Sequence, residues 1–138
     1  MRDALCQSLR HVLSRGEGLR LAILFGSHAR GTPRPGSDVD VAILPESPGL
    51  SLAEENRLGV ALERAVRAPV DLVRIDRASA ALRWRIARDG VVLLANPPQE
   101  AGWFLARAGI EHDELRELDA DAMHRFRARL LAGQEPPR

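Results

Sequence analysis

Apolar residues recur along this chain with two different periods, and the switches between them mark its elements. Leu5, Leu9, Val12 and Leu13 fall at helical spacing within residues 3–15, with Asp3 able to cap the start and Gly16 and Gly18 to end it. Residues 19–25 run almost wholly apolar, as expected of an interior strand covered on both faces. A Pro- and Gly-rich link, Thr32 to Gly36, cannot extend a helix or a ladder. A second strand then follows, from about Ser37 to Leu44, and a turn is expected over residues 45–49.

Ser51 and Glu54 form a capping box ahead of a helix to about Arg67, with Leu58, Leu62, Ala65 and Val66 as its buried stripe. Residues 69–75 read as a third strand, with Val70, Leu72 and Ile75 inward. Residues 79–88 form a helix that buries Leu82 and Ile86, closed by Gly90, and residues 91–95 a short fourth strand. After Asn96-Pro97-Pro98 come a helix around residues 100–108, a second over about 113–131, and a polar tail. Leu115, Leu118, Met123, Phe126 and Leu130 give that last helix a stripe suited either to its own core or to a partner. The pattern predicts an α/β (α+β) domain with a small mixed β-sheet flanked by helices. A core over 1–96 would be followed by a helical extension and tail over 97–138.

Composition narrows the chemistry. The 138 residues suffice for one domain, and a formal charge of +1 supplies no basic field for nucleic acid. No lysine occurs, which excludes a Walker-type lysine and a Schiff-base lysine, so a phosphate clamp must use arginine or main chain. Cys6 is the only cysteine and reads as a buried thiol. No apolar run is long enough for a membrane span, and the expected setting is cytoplasmic.

The chemistry concentrates between Leu21 and Leu44. Asp38 and Asp40 lie two apart on a strand and therefore share a face. Like charges so close raise each other's pKa and invite a cation, for which Mg²⁺ is the natural candidate because it takes oxygen ligands and phosphates. Gly26-Ser27, directly after an apolar strand, permits a sharp turn and close approach of an anion to main-chain N–H groups. Arg30 could neutralise phosphate charge or bond loop carbonyls, and Arg34 reads as structural. His28 reads as a surface or supporting residue. Asp71, inside an apolar strand, needs a partner if buried, and on a strand beside the second it would join Asp38 and Asp40. An exposed edge position or an ion pair with arginine is the alternative.

Gly26-Ser27, ten residues, then Asp38-Val39-Asp40 resembles the signature of the polymerase-β-like nucleotidyltransferases. The wording Gly-Ser-His-Ala-Arg-Gly followed by Ser-Asp-Val-Asp is similar above all to the minimal nucleotidyltransferases, which are often encoded beside a HEPN-domain partner. The resemblance covers roughly residues 5–96. It implies the polymerase-β-like fold, with Asp38, Asp40 and Asp71 as catalytic residues and ligands of a two-metal Mg²⁺ site, and with Gly26, Ser27 and Arg30 binding the nucleotide. It further implies an antitoxin that transfers AMP from ATP to a tyrosine of a HEPN toxin. Transfer to an aminoglycoside hydroxyl, or a non-catalytic module that masks a partner, are the competing readings, and a homo- or hetero-oligomer is left open.

Overall fold

The computed structural model describes residues 2–16, 18–46 and 49–133. Four strands form one sheet in the order β3-β2-β1-β4, where β1 is Leu19–Phe25, β2 Val39–Pro45, β3 Val70–Arg74 and β4 Val91–Ala95. β1 pairs antiparallel with both β2 and β4, and β2 pairs parallel with β3. Among the described residues the five α-helices are α1 (Arg2–Arg15), α2 (Gly26–Arg30), α3 (Leu52–Val66), α4 (Ala80–Asp89) and α5 (Gln99–Leu131). A parallel pair needs a crossover connection, and α3 supplies it between β2 and β3.

The sheet has a core on each face. On one side Cys6, Leu9 and Leu13 of α1 and Leu62 of α3 pack on Ala22, Leu24, Val39, Val41 and Ile43. On the other, Ile86 of α4 and Phe104 and Ala108 of α5 pack on Leu21, Ile23 and Ala42. β1 feeds both, as its apolar run predicts. The strand alternation alone would put Leu19 and Leu21 on one face, but a register shift between them sends Leu19 to the α1 side and Leu21 to the α4 side. The ten largest of the fully buried side chains, Leu9 and Ile43 among them, are each worth about 1.5–3 kcal/mol.

Several expected details shift. Asp3 lies inside the first turn of α1 rather than capping it, where its charge still favours the positive helix end. β2 extends through Pro45, whose carbonyl end pairs beside Leu19, while residues 47 and 48 of the expected turn lie outside the described residues. Ser51 does cap α3, accepting from the Glu54 amide at 3.2 Å, and Leu62 is its buried residue, but Ala65 is exposed. Ile75 belongs to a 3₁₀ turn, Ile75–Arg77, and packs in the core opposite Val70 and Leu72, the face that strand alternation itself assigns to an odd-numbered position here. Gly90 stops α4 where a Cβ would overlap both the Ile86 carbonyl and the Ile23 side chain, a place only glycine can occupy.

The largest difference is at the C-terminal side. The two expected helices are one, Gln99–Leu131, because nothing between Ala108 and Asp113 breaks a helix: Gly109 costs only about 1 kcal/mol there and no proline intervenes. Its first half is tied to α4. Arg83 reaches Glu111 at 2.5 and 3.1 Å and also donates to the Ala78 carbonyl, while Trp84 stacks on His112 with ring centroids 4.3 Å apart. Glu100 is buried, with Arg20 Nε 3.8 Å from its carboxylate. Beyond His112 nearly every residue is exposed. The polar tail from residue 134 lies outside the described residues. No helix among the described residues is long and apolar enough to cross a membrane.

Candidate active site

The site lies where β1 ends, on the sheet face that carries α4. Phe25 pairs with Asp40, and Asp40 with Asp71, so three adjacent strands bring one residue each into a single row. The opposite-facing neighbours Val39, Val41, Val70 and Leu72 belong to the α1 side, which turns Asp40 and Asp71 toward α4. A concavity of about 510 Å³ opens there, lined by Gly26, Ser27, Arg30, Asp40 and Asp71 together with Leu82, Arg85 and Asp89 of α4.

The turn from β1 into α2 is what makes room. Gly26 holds φ +75, in the left-handed region, and its missing side chain is replaced by the Asp40 carboxylate, which a Cβ would overlap. α2 therefore starts at Gly26, and no side chain caps its first turn. Gly31, also at φ +75, ends it. His28 stands behind this turn, its Nε2 donating to the Ser37 carbonyl at 3.3 Å and so tying α2 to the loop that leads into β2. Arg34 works through main chain: its amide donates to Ser37 Oγ at 2.8 Å.

The electrostatics centre on Asp40. Burial pushes its carboxyl above the ordinary range, and the neighbouring charges of Asp71 and then Asp38 push it further, against smaller opposing effects of His28 and Arg30. Asp40 thus feels both of the other carboxylates. They are not gathered into a closed set: among the described residues no three Asp, Glu, His or Cys side chains stand ready as metal ligands. Asp38 precedes β2 instead of opening it, is exposed, and lies outside the lining of the concavity. Asp71 is exposed as well, because β3 is the sheet edge. The burial argument for its needing a partner therefore falls away, and its place in the row is what joins it to Asp40. The donors nevertheless suit Mg²⁺: all are carboxylate oxygens, and a cation would relieve the repulsion and burial that weigh on ionised Asp40.

Arg30 enters the concavity, its Nη1 3.8 Å from an Asp89 carboxylate that Arg88 also holds at 2.9 Å. Arg85, like Asp89, is a site residue that sequence reasoning missed. It lies one turn on from Leu82, so the periodicity that assigned Leu82 to the sheet-facing side of α4 also carried Arg85 to the edge of that side. Its register with Leu82 was the available signal.

A strand-to-helix turn that leaves space for phosphates, facing carboxylates on two neighbouring strands, is the apparatus of a nucleotidyltransferase. Residues 7–99, more than half of the chain, match the family model described as Polymerase beta, Nucleotidyltransferase, and the chain belongs to that family. A protein adenylyltransferase MntA from Aphanizomenon flos-aquae is 27% identical over 121 residues, covering 81% of this chain and 80% of that protein. The solved structure of a toxin-antitoxin with AMP-PNP is similar over 91% of this chain and 97% of its own, with TM-score 0.68 and 25% identity. An MNT antitoxin in complex with a tri-AMPylated HEPN toxin from Shewanella oneidensis shares the fold. That match has TM-score 0.67 and 21% identity, and covers 91% of this chain and 98% of that one.

Proposed function

We propose that this chain is the antitoxin of a toxin-antitoxin pair and transfers AMP from ATP to a tyrosine hydroxyl of a HEPN-domain toxin, with Mg²⁺ as cofactor. The observation that carries the reading is the row Asp40–Asp71 set against the Gly26-Ser27 turn in one concavity. The MntA relative and the AMP-PNP-bound toxin-antitoxin support the nucleotide and the partner class. The chain contains no tyrosine, so a tyrosine acceptor must belong to another protein.

In this reading the first amides of α2 and the Ser27 hydroxyl hold the β- and γ-phosphates, while Arg30 and Arg85 offset their charge. The acceptor oxygen attacks the α-phosphorus, the bond from that phosphorus to the bridging oxygen breaks, and pyrophosphate leaves. Asp71, on the open edge strand where an acceptor can approach, takes the hydroxyl proton. Asp38, Asp40 and Asp71 would hold the Mg²⁺ ions, which supply charge neutralisation for the attacking and leaving oxygens of the in-line displacement. Asp38 must turn toward Asp40 to take part.

The test is incubation with the HEPN protein, α-labelled ATP and Mg²⁺. Label should appear on a tyrosine of the partner. Label on an aminoglycoside alone, or on nothing, rejects the proposal. Asp71→Asn should lower turnover by about 10²–10⁴-fold while barely changing nucleotide affinity, as for a group acting on the acceptor side. An equal loss of both would move Asp71 into nucleotide binding. Ser27→Ala should weaken the binding of a non-hydrolysable ATP analogue by about 1.5–3 kcal/mol, one charge-assisted hydrogen bond. Unchanged affinity in a calorimetric titration would leave Gly26-Ser27 as a turn and nothing more.

A further inference from the structure

At 3.6 residues per turn, Leu115, Leu118, Ala122, Phe126 and Leu130 fall on one stripe of α5. It continues the face by which Phe104 and Ala108 enter the core, but here the body of the domain has ended. Leu118 is 62% exposed, Leu130 54% and Phe126 39%. A helix of some five turns, about 28 Å long, thus carries an apolar seam with nothing on it.

The charges beside the seam are sorted by sign along the helix. Glu114, Asp119 and Asp121 occupy its first half, where Arg116 is the one basic residue, and Arg125, Arg127 and Arg129 its second. Among the described residues, none of these seven lies within ion-pair distance of an opposite charge. The sorting is symmetric about Ala122. If a second copy of the helix runs antiparallel with the two Ala122 residues at the crossing, Leu115 meets Leu130 and Leu118 meets Phe126. On one flank Glu114 comes beside Arg129 and Asp121 beside Arg125; on the other, Arg127 comes beside Asp119 and also near Arg116, so the charge matching rests on the first flank. A parallel pair would set the mostly acidic first halves together and the basic second halves together. Ala122 is the small residue that lets two axes approach closely.

We infer that the projecting half of α5 is a self-association surface, on which a second copy of this chain docks antiparallel through the Leu115–Leu130 seam. None of the residues lining the concavity around Asp40 lies on this half of the helix, so pairing leaves the nucleotide site open. The arrangement makes the unit two-headed, with its two sites carried at opposite ends of the paired helices.

The test uses two full-length variants. Glu114→Arg/Asp121→Arg makes the flank uniformly basic, and Arg125→Glu/Arg129→Glu makes it uniformly acidic. In sedimentation over a concentration series, the unaltered chain should move from its 15.2 kDa monomer toward the dimer. Each variant alone should stay monomeric, and an equal mixture of the two should dimerise again, because only antiparallel self-pairing matches opposite flanks in that mixture. Thermal melts should be unchanged, since all four positions are exposed or nearly so. As a check that needs no charge change, Ala122→Cys should form a disulfide-linked dimer under mild oxidation. Axes about 9–10 Å apart, with Cα atoms about 2.3 Å off each axis, leave the two Cα atoms about 4.4–5.4 Å apart, within disulfide reach, and Cys6 is buried. An unaltered chain that is monomeric at every concentration, variants that still self-associate, or a mixture that fails to recover overturns the inference. So does a chain that stays monomeric alone but is captured by a HEPN protein through this stripe.

Discussion

Asp40→Asn is expected to lower AMP transfer by at least about 10²–10³-fold, the range for losing one preorganised electrostatic group, while the metal-free protein melts at a higher temperature near neutral pH. The two effects have one origin. Folding raises the Asp40 carboxyl above its unfolded value, first by burial and then through Asp71 and Asp38. The folded state therefore binds that proton more tightly than the unfolded state. Stability from this group is fully present below the unfolded pKa and is lost as pH rises through the folded one. At neutral pH, without a cation, ionised Asp40 is a standing cost, and asparagine removes it. Melting curves with chelator should show the unaltered protein gaining stability as pH falls toward the carboxylate range, and Asp40→Asn losing most of that dependence. A variant that is both inactive and less stable would mean that Asp40 holds the turn together and does not serve chemistry.

The same carboxylate separates what could be read in the chain from what could not. The pairing of Asp40 with a Gly-Ser turn followed from local rules: an apolar run, a glycine at its end, and alternation on the next strand. So did Cys6 in the core, the Ser51 cap and the interior position of β1. Asp38 was legible as a residue type and not as a position, because alternation fixes a face only inside a ladder and β2 begins one residue later. Asp71 was assigned to the correct strand for a burial reason that the edge location removes. Which strand is an edge is a property of sheet order, and a single strand's pattern carries little of it. Arg85 was hidden because exposed arginines on helices are ordinary, and only the approach of α4 to the end of β1 gives this one a neighbour of interest. α5 was divided because its seam loses large residues between Ala108 and Leu115. There the helix is held by Arg83–Glu111 and by Trp84 on His112, polar and aromatic contacts that a hydrophobic period does not register.

Gly26→Ala should reduce both stability and transfer, through two separable costs. A left-handed backbone at φ +75 costs an L-residue roughly 1–2 kcal/mol whatever surrounds it. The methyl would also overlap the Asp40 carboxylate, and Asp40 Cγ and Cβ stand only 3.1 and 3.4 Å away, so the side chain has to swing or the β1–α2 junction has to widen. Either response moves a proposed ligand by about an ångström relative to the phosphates, and displacement on that scale can cost about 10²-fold in rate. A double-mutant cycle with Asp40→Ala separates the costs. Shortening residue 40 removes the carboxylate from the methyl's path, so alanine at position 26 should destabilise the Asp40→Ala background less than the native one, leaving the backbone cost behind. Equal destabilisation in both backgrounds would show that the methyl and the carboxylate do not compete for that space. Gly26 would then be required for its backbone conformation alone, and the close fit of the turn against Asp40 would lose its role in positioning the site.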